Sequence, residues 1–313
     1  MDVSADIRAA AAALMPDGLV ISVEPLRGGS SAFVAALVLE SPIGDRRTVV
    51  FRQHRDRTAK DHTGGVAARE FHLTGELAAM GFEVPRPLVL HEGEPIDGPW
   101  FVAEWVEGST TVDPADVDSA LSQMARFLAR LHSLDPASLS GTGLGRIEDP
   151  EQALPAYLPD DDNGQILRQA LDRGVQRRPN VDVLLHGDFW PGNVMFARTD
   201  LVAVLDWEDA TWGDPLADLA CARVEMACAY GWDASERFTT SYVDSVREQG
   251  VRLIDDDLAL WDAYVSATAL SAMHLWGLDP ADETERRGTT TTFLQAATAR
   301  LVDSSGAPTG NPA

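Results

Sequence analysis

A histidine, two aspartates and an asparagine fall close together in this chain. They are His186, Asp188, Asn193 and Asp206, carried by His186-Gly187-Asp188-Phe189-Trp190-Pro191-Gly192-Asn193 and, further on, Leu205-Asp206-Trp207-Glu208. Leu184-Leu185 precedes the first run and Val194-Met195-Phe196 follows it. Arg198-Thr199-Asp200 then turns the chain into Leu201-Val202-Ala203-Val204-Leu205, which ends at Asp206. Apolar runs bounded by turn residues read as a hairpin, with polar side chains at the strand ends. Two carboxylates and an amide oxygen on a rigid hairpin suit Mg²⁺, which takes oxygen ligands and keeps nucleotide phosphates in its coordination shell.

The interval from Asp188 to Asn193 equals that of the protein-kinase catalytic loop. There the Asp orients the attacking hydroxyl and the Asn holds metal. On these residues the stretch 184–219 resembles the aminoglycoside phosphotransferase family, whose fold is similar to that of eukaryotic protein kinases. That family carries H-G-D-x-x-x-x-N, matched here by His186-Gly187-Asp188 and Asn193, and an Asp-aromatic-acid run, matched by Asp206-Trp207-Glu208. Gly213-Asp214-Pro215-Leu216-Ala217-Asp218-Leu219 fits the tail of the motif. The first motif alone would arise by chance in roughly one chain in several hundred; the ordered set is far rarer.

The elements that must position these residues change character along the chain. Val20–Leu26, Ala32–Leu39 and Arg47–Arg52 read as an antiparallel meander. Ala67–Met80 has helical period and stops at Gly81. Leu88–Leu90 and Trp100–Val106 are further strands. After Gly108 the pattern turns helical: Ala115–Leu134, Gln165–Val175, Pro215–Tyr230 with Asp214 as N-cap, then about 234–249, 256–276 and 282–302. The fold expected is α+β and bilobal, protein-kinase-like, with a small antiparallel β N-lobe carrying one helix and a larger, mostly helical C-lobe. The expected boundaries are a nucleotide-binding lobe over 1–103, a hinge at 104–108, a helical lobe over 109–302 and a disordered tail at 303–313 rich in Ser, Gly, Pro and Asn.

Composition narrows the partners. The chain has 313 residues and a formal net charge of −24. That charge argues against nucleic acid and anionic membrane surfaces. It fits a cationic ligand weakly, because solvated surface acids give the same sum. No apolar run approaches a membrane span and no signal peptide is visible, so a cytoplasmic monomer or homodimer is expected. Cys221 and Cys228 lie seven apart in a predicted helix and read as packing thiols.

Phosphoryl transfer depends on positioning and charge neutralisation more than on covalent chemistry. The resemblance therefore implies ATP or GTP as co-substrate with Mg²⁺, and it implies roles for particular residues. Gly28, Gly29 and Ser30, between the first two strands, take the place of the phosphate cover, although Gly-Gly between strands is equally a hairpin turn. Arg52 ends the third strand at the place of the kinase lysine, where a guanidinium brings fixed charge and a bidentate fork. Glu70 is its candidate partner, with Arg69 and Glu76 as competitors. Glu104 and Val106 lie in the expected adenine hinge. Asp188 is the candidate base, Asn193 and Asp206 the metal ligands, His186 a loop-bonding residue and Asp218 a brace for the catalytic loop. His132 is expected to pack beneath it.

The acceptor is expected to be a polar, cationic small molecule bearing a hydroxyl. Trp190, Glu208, Asp209, Asp214 and Glu225 are its candidate contacts, and each acid also reads as solvated surface. Aminoglycosides, related antibiotics, sugars, amino alcohols and amino acids are all compatible with the resemblance. A catalytically silent nucleotide-binding regulator is a second reading. A third is a non-haem iron oxygenase using His186, Asp188 and His274, which would belong on a β-sandwich rather than among helices.

Overall fold

The computed structural model describes residues 4–26, 32–54, 65–91, 99–139, 142–174 and 177–305. Gly28, Gly29, Ser30, Val175 and the 306–313 part of the tail lie outside them. In chain order the elements are α1 (Ala5–Leu14), β1 (Leu19–Pro25), β2 (Ala32–Glu40), β3 (Arg46–His54), α2 (Gly65–Ala79), β4 (Pro87–His91), β5 (Trp100–Glu104) and α3 (Val117–His132). They continue with α4 (Pro150–Ala153), α5 (Asp162–Asp172), β6 (Val183–Leu185), β7 (Val194–Ala197), β8 (Asp200–Val204) and β9 (Thr211–Gly213). Four helices close the chain: α6 (Leu216–Tyr230), α7 (Trp232–Glu248), α8 (Leu258–Ala272) and α9 (Pro280–Ser305). The chain divides into two compact units. The first holds Met1–Thr110, Ala137–Leu144 and Asn193–Asp209; the second holds Thr111–Pro136, Gly145–Gly192 and Ala210–Ala313.

The first unit is built on a five-stranded antiparallel sheet of order β1-β2-β3-β5-β4. Side chains alternate across a strand, so neighbours in β3 serve opposite faces. Val49 and Phe51 join Leu37, Leu39, Trp100 and Val102 in a core covered by Ile7, Ala10 and Ala11 of α1. Gln53 has the same parity, and its amide donates to the buried Asp6 of α1 at 2.9 Å. Arg52 and His54 therefore belong to the opposite face, where Ala67 and Phe71 of α2 pack on Phe101 and Ala103. That alternation is what carries Arg52 toward α2. The β7–β8 hairpin is part of this unit: Ser109 pairs with Phe196, and Val204 donates to the carbonyl of Glu83 at 2.7 Å. At Gly108 an added Cβ would stand 2.8 Å from the Phe196 carbonyl oxygen, so the close approach of the two backbones requires glycine.

The second unit is helical. Leu167 and Leu171 of α5, Leu260 and Ala267 of α8, and Leu294 and Leu301 of α9 share one apolar core with Leu154 and Leu158. Helix α6 packs against α7, α8 and α9 and is buried through most of its length, which is why its sequence shows little polar face. Its Arg223, 3 % exposed, donates to Asp262, which is fully buried on α8 and also accepts from Arg300 at 2.5 Å. The short strand β6 pairs with β9. Three residues give no readable period, and the sequence pattern predicts no strand at 211–213. Other boundaries move by a few residues. Helix α8 ends at Ala272 and gives way to a 3₁₀ turn over Met273–Leu275, whereas α9 runs on to Ser305, past the expected start of the tail. Among the described residues no helix is long and apolar enough to cross a membrane.

Asp262 is the carboxylate on which a buried cation of the second unit depends. Asp262→Ala is expected to cost about 3–5 kcal/mol, because it leaves the buried Arg223 with only the exposed Glu236 as counter-charge. Urea unfolding followed by circular dichroism measures this, and a midpoint equal to wild type would show that Arg223 finds water instead.

Candidate active site

Within the first unit, three carboxylates from other elements converge on Arg52. Its Nη2 donates to Asp206 Oδ1 at 2.6 Å and to Glu208 Oε2 at 2.8 Å, and its Nε stands 3.1 Å from Glu70 Oε2. The last contact is an ion pair poorly aligned as a hydrogen bond. His54 lies between the same acids, Nε2 3.1 Å from Glu70 and Nδ1 3.5 Å from Glu208. The positions follow from local structure. Strand β3 puts Arg52 and His54 on one face, two residues apart. Helix α2 presents Glu70 to that face. After β8 the chain takes a left-handed conformation at Asp206, φ +64°, which few non-glycine residues adopt and Asp tolerates better than most. Leu205 N–H donates to the Asn193 carbonyl at 2.8 Å, tying the two ends of the hairpin together.

Three carboxylates around one guanidinium leave an excess of negative charge. Burial alone would raise Glu70; Arg52, the His54 hydrogen bond and the Trp207 N–H outweigh it and hold the carboxyl below its usual range. Asp206 goes the other way. Burial raises it, Arg52 opposes, and Glu208 and Glu70 reinforce the rise. Arg52 itself is held protonated more firmly than usual, because the three carboxylates outweigh its own desolvation. Mg²⁺ fits this environment in charge and in donor type: Asn193 and Asp206 could supply oxygens, and the surplus negative charge favours a divalent cation. Among the described residues no three His, Cys, Asp or Glu side chains form a metal-holding group by themselves. The remaining ligands of such an ion would come from water and phosphate, as Mg²⁺ ordinarily takes them.

The second unit holds Asp188 and its supports. Asp218 on α6 is 1 % exposed and accepts from the His186 N–H at 2.7 Å and the Gly187 N–H at 2.9 Å. Its Oδ2 also stands 3.1 Å from His132 Nε2, and His132 Nδ1 lies 2.6 Å from the hydroxyl of Tyr242 on α7. Gly187 has φ +88°, so the turn that takes the chain from His186 to Asp188 suits glycine. The Asp188 N–H in turn donates to His186 Nδ1 at 3.2 Å. Burial would raise Asp218, but its hydrogen bond with His132, the charges of His132 and His186 and the Gly187 N–H hold it below the usual carboxylate range.

The remaining expected site residues are placed as follows. Glu104 ends β5 with its carboxylate 3.9 Å from Arg47, and Val106 is half-buried beyond it. The candidate acceptor acids do not form a free acidic pocket. Glu208 is held by Arg52. Asp214 is buried and accepts from the Asn180 backbone and amide and from the Leu216 N–H, so it pins a loop to the start of α6. Glu225 is paired with Arg286. Asp209 is exposed. The expectation of a cationic acceptor rested on these charges, and three of them are already neutralised or hydrogen-bonded internally. Trp190 lies under the Arg286 guanidinium, 5.6 Å from its ring centre. His186 is fully buried, whereas His274 is exposed in the 3₁₀ turn, so the pair and Asp188 do not make the iron triad.

An antiparallel five-stranded sheet with a helix carrying the partner of a β3 cation, together with a helical unit bearing His-Gly-Asp, is the kinase-like fold of phosphotransferases. The chain belongs to the phosphotransferase enzyme family, which it matches over residues 22–264. Solved structures of this fold include a putative aminoglycoside phosphotransferase from Ralstonia eutropha, 19% identical, with 90% of this chain and 92% of that one covered and a TM-score of 0.64. The aminoglycoside 2'-phosphotransferase-IIIa in its GDP complex is 16% identical, with 94% and 98% covered and a TM-score of 0.65. Among sequence relatives, acyl-CoA dehydrogenase family member 11 of Rattus norvegicus is 33% identical over 190 residues, 52% of this chain and 23% of that protein. The Mus musculus protein of the same name is 26% identical over 238 residues, 68% of this chain and 28% of that protein. The chain thus spans about a quarter of the length of these relatives.

Two outcomes are expected from the charges. Arg52→Met should destabilise the protein by about 3 kcal/mol or more, since it leaves one buried and two partly buried carboxylates facing one another, and adding Asp206→Asn should recover part of the loss. Simple additivity in that double-mutant cycle would show that Arg52 and Asp206 do not interact. Asp218 is lowered in the folded state, so its contribution is complete above the unfolded carboxyl value of about 3.9 and fades as pH falls toward the folded one. The gap in melting temperature between wild type and Asp218→Asn should accordingly narrow below about pH 4; a gap that stayed constant down to about pH 2.5 would show that the charge is not what stabilises.

Proposed function

We propose that this protein transfers the γ-phosphoryl group of ATP or GTP to a hydroxyl of a small molecule. The observation that carries the reading is Arg52, a fixed cation on β3 held by Glu70 of α2 and meeting Asp206 at the end of β8. A cation clamped this way reaches phosphate oxygens without spending side-chain freedom at the moment of binding. Membership of the phosphotransferase enzyme family supports it. So do solved relatives of the same fold, whose complexes contain GDP and kanamycin or ADP and hygromycin B.

In this reading each residue has one task. Arg52 neutralises phosphate charge, and Glu70 with His54 keeps its guanidinium aimed. Asn193 and Asp206 hold Mg²⁺, which when bound offsets the charge on the phosphate oxygens. Asp188 accepts a hydrogen bond from the acceptor hydroxyl and takes its proton late in a loose transition state. The acceptor O–P bond forms as the bond from the γ-phosphorus to the bridging oxygen breaks, and the nucleoside diphosphate leaves with that electron pair. Asp218, His132 and Tyr242 fix the backbone on which Asp188 sits. The main-chain groups of 104–106 receive the base. The acceptor is an antibiotic of the aminoglycoside kind or a small metabolite. The intact Asp188, Asn193 and Asp206 favour transfer over a silent regulatory role.

The test is thermal unfolding with and without nucleotide, combined with two variants. MgATP or MgGTP at about one hundred times Kd should stabilise the native state by about 2.7 kcal/mol and raise the melting temperature. Asp188→Asn should keep that shift and lose phosphate transfer by a factor of about 10² or more, whereas Asp206→Ala should lose most of the shift itself. No shift with either nucleotide at millimolar concentration removes the reading, and transfer by Asp188→Asn at the wild-type rate puts the base elsewhere.

A further inference from the structure

The second unit contains a cation over Trp190, a residue of the Asp188 loop, that the phosphotransfer reading leaves without a task. Arg286 on α9 donates to Glu225 of α6, and its guanidinium lies over two indoles, 5.6 Å from the ring centre of Trp190 and 5.9 Å from that of Trp276. Trp190 is two residues from Asp188 in the chain, and its indole packs over Gly192, where an added Cβ would meet the ring at 2.2 Å. The side chain of Arg286 is 20% exposed. It has five N–H donors. Glu225 engages Nη1, and among the described residues Nε and Nη2 have no hydrogen-bond partner. The group is thus held by one carboxylate and two ring faces, while the Nε–Nη2 edge of its fork has no hydrogen-bond partner among the described residues. Beside it, Leu275 is 67% and Trp276 41% exposed, an apolar surface of the kind that marks a ligand site when it adjoins a fixed charge.

Resting on the phosphotransfer reading, we propose that Arg286 is the specificity-determining residue for the acceptor, and that the acceptor is a hydroxycarboxylate: an alcohol that also carries a carboxylate, with an apolar or aromatic body. The Nε–Nη2 edge of the guanidinium matches a planar carboxylate, which it can grip with two parallel hydrogen bonds. The indoles of Trp190 and Trp276 receive the apolar body. The hydroxyl is then directed to Asp188, which is tethered to the same loop as Trp190. A cationic acceptor finds Glu225 already paired. The pairing with Glu225 also explains how an anion is accepted by a chain of net charge −24: the acid fixes the guanidinium on one edge only, and attraction acts at contact distance, where the remote charges are screened.

The experiment uses the whole chain with MgATP and two matched acceptor sets: lactate, methyl lactate and the amino alcohol of the same carbon skeleton; mandelate, methyl mandelate and its amino alcohol analogue. Nucleoside diphosphate release and the mass of the phosphorylated product are followed, and MgATP-induced thermal shift is recorded separately. The expected result is transfer to the carboxylates in preference to the esters and amines. In Arg286→Gln the ratio of kcat/KM for carboxylate over ester should fall at least about tenfold, the scale of one lost charged hydrogen bond. Arg286→Lys, which keeps the charge but not the fork, should lie between. Preference for the amino alcohols overturns the proposal, as does an unchanged carboxylate-to-ester ratio in a folded Arg286→Gln, or silence toward all six compounds while the MgATP shift persists. Absence of the MgATP shift instead overturns the phosphotransfer reading on which it rests.

Discussion

The arrangement of the first unit turns on the balance between one guanidinium and three carboxylates. Arg52 is largely buried, and a buried charge is tolerated only when it is paired. Glu70, Asp206 and Glu208 pair it in excess, and the excess gives the site its character. Burial, reinforced by the surplus charge, keeps Asp206 above its ordinary range, and that surplus favours a divalent cation. Strand parity, the position of α2 and the left-handed turn at Asp206 can all be read as conditions for this one convergence. A lysine would carry the same charge but could not reach three acids with a planar fork.

The second unit solves a different problem, that of holding a short loop still. Asp218 collects two backbone N–H groups of that loop and one imidazole, and the imidazole is steadied by Tyr242. The side chains of Asp218, His132 and Tyr242 are buried and hydrogen-bonded, which is the condition under which a polar network rigidifies rather than weakens a core. Helices α3, α6 and α7 each supply one residue to this network, and α6 also carries Glu225, so the helix that braces the loop also anchors Arg286.

Much of this is legible in the sequence where the interaction is local in the chain. His186, Gly187, Asp188 and Asn193 are neighbours in a motif, and Asp206 follows at the end of an apolar strand. Arg52 stands out as a cation closing a β run, and His54 could have been added by the period of two that puts both on one face. What the sequence hides is partnership over distance. Glu208 meets Arg52 across 156 positions and Glu225 meets Arg286 across 61. Read singly, these acids suggest a pocket for a cationic acceptor; folded, each is bonded to an arginine. Tyr242 shows no local signal at all, since its role is set by where α7 crosses α3. Strand β9 escapes detection because three residues paired to β6 carry no pattern. The glycines at 28 and 29 lie outside the described residues.

The central claim is that Arg52, fixed by Glu70, is the phosphate-binding cation of a phosphotransferase. Calorimetric titration of MgATP and MgGTP into wild type, Arg52→Met and Glu70→Gln tests it most directly. Binding to the wild type is expected, with loss of at least about tenfold in affinity on removing the guanidinium and a smaller loss when only its partner is neutralised. Equal affinity in all three folded proteins would contradict it and place the nucleotide, if it binds at all, on other residues.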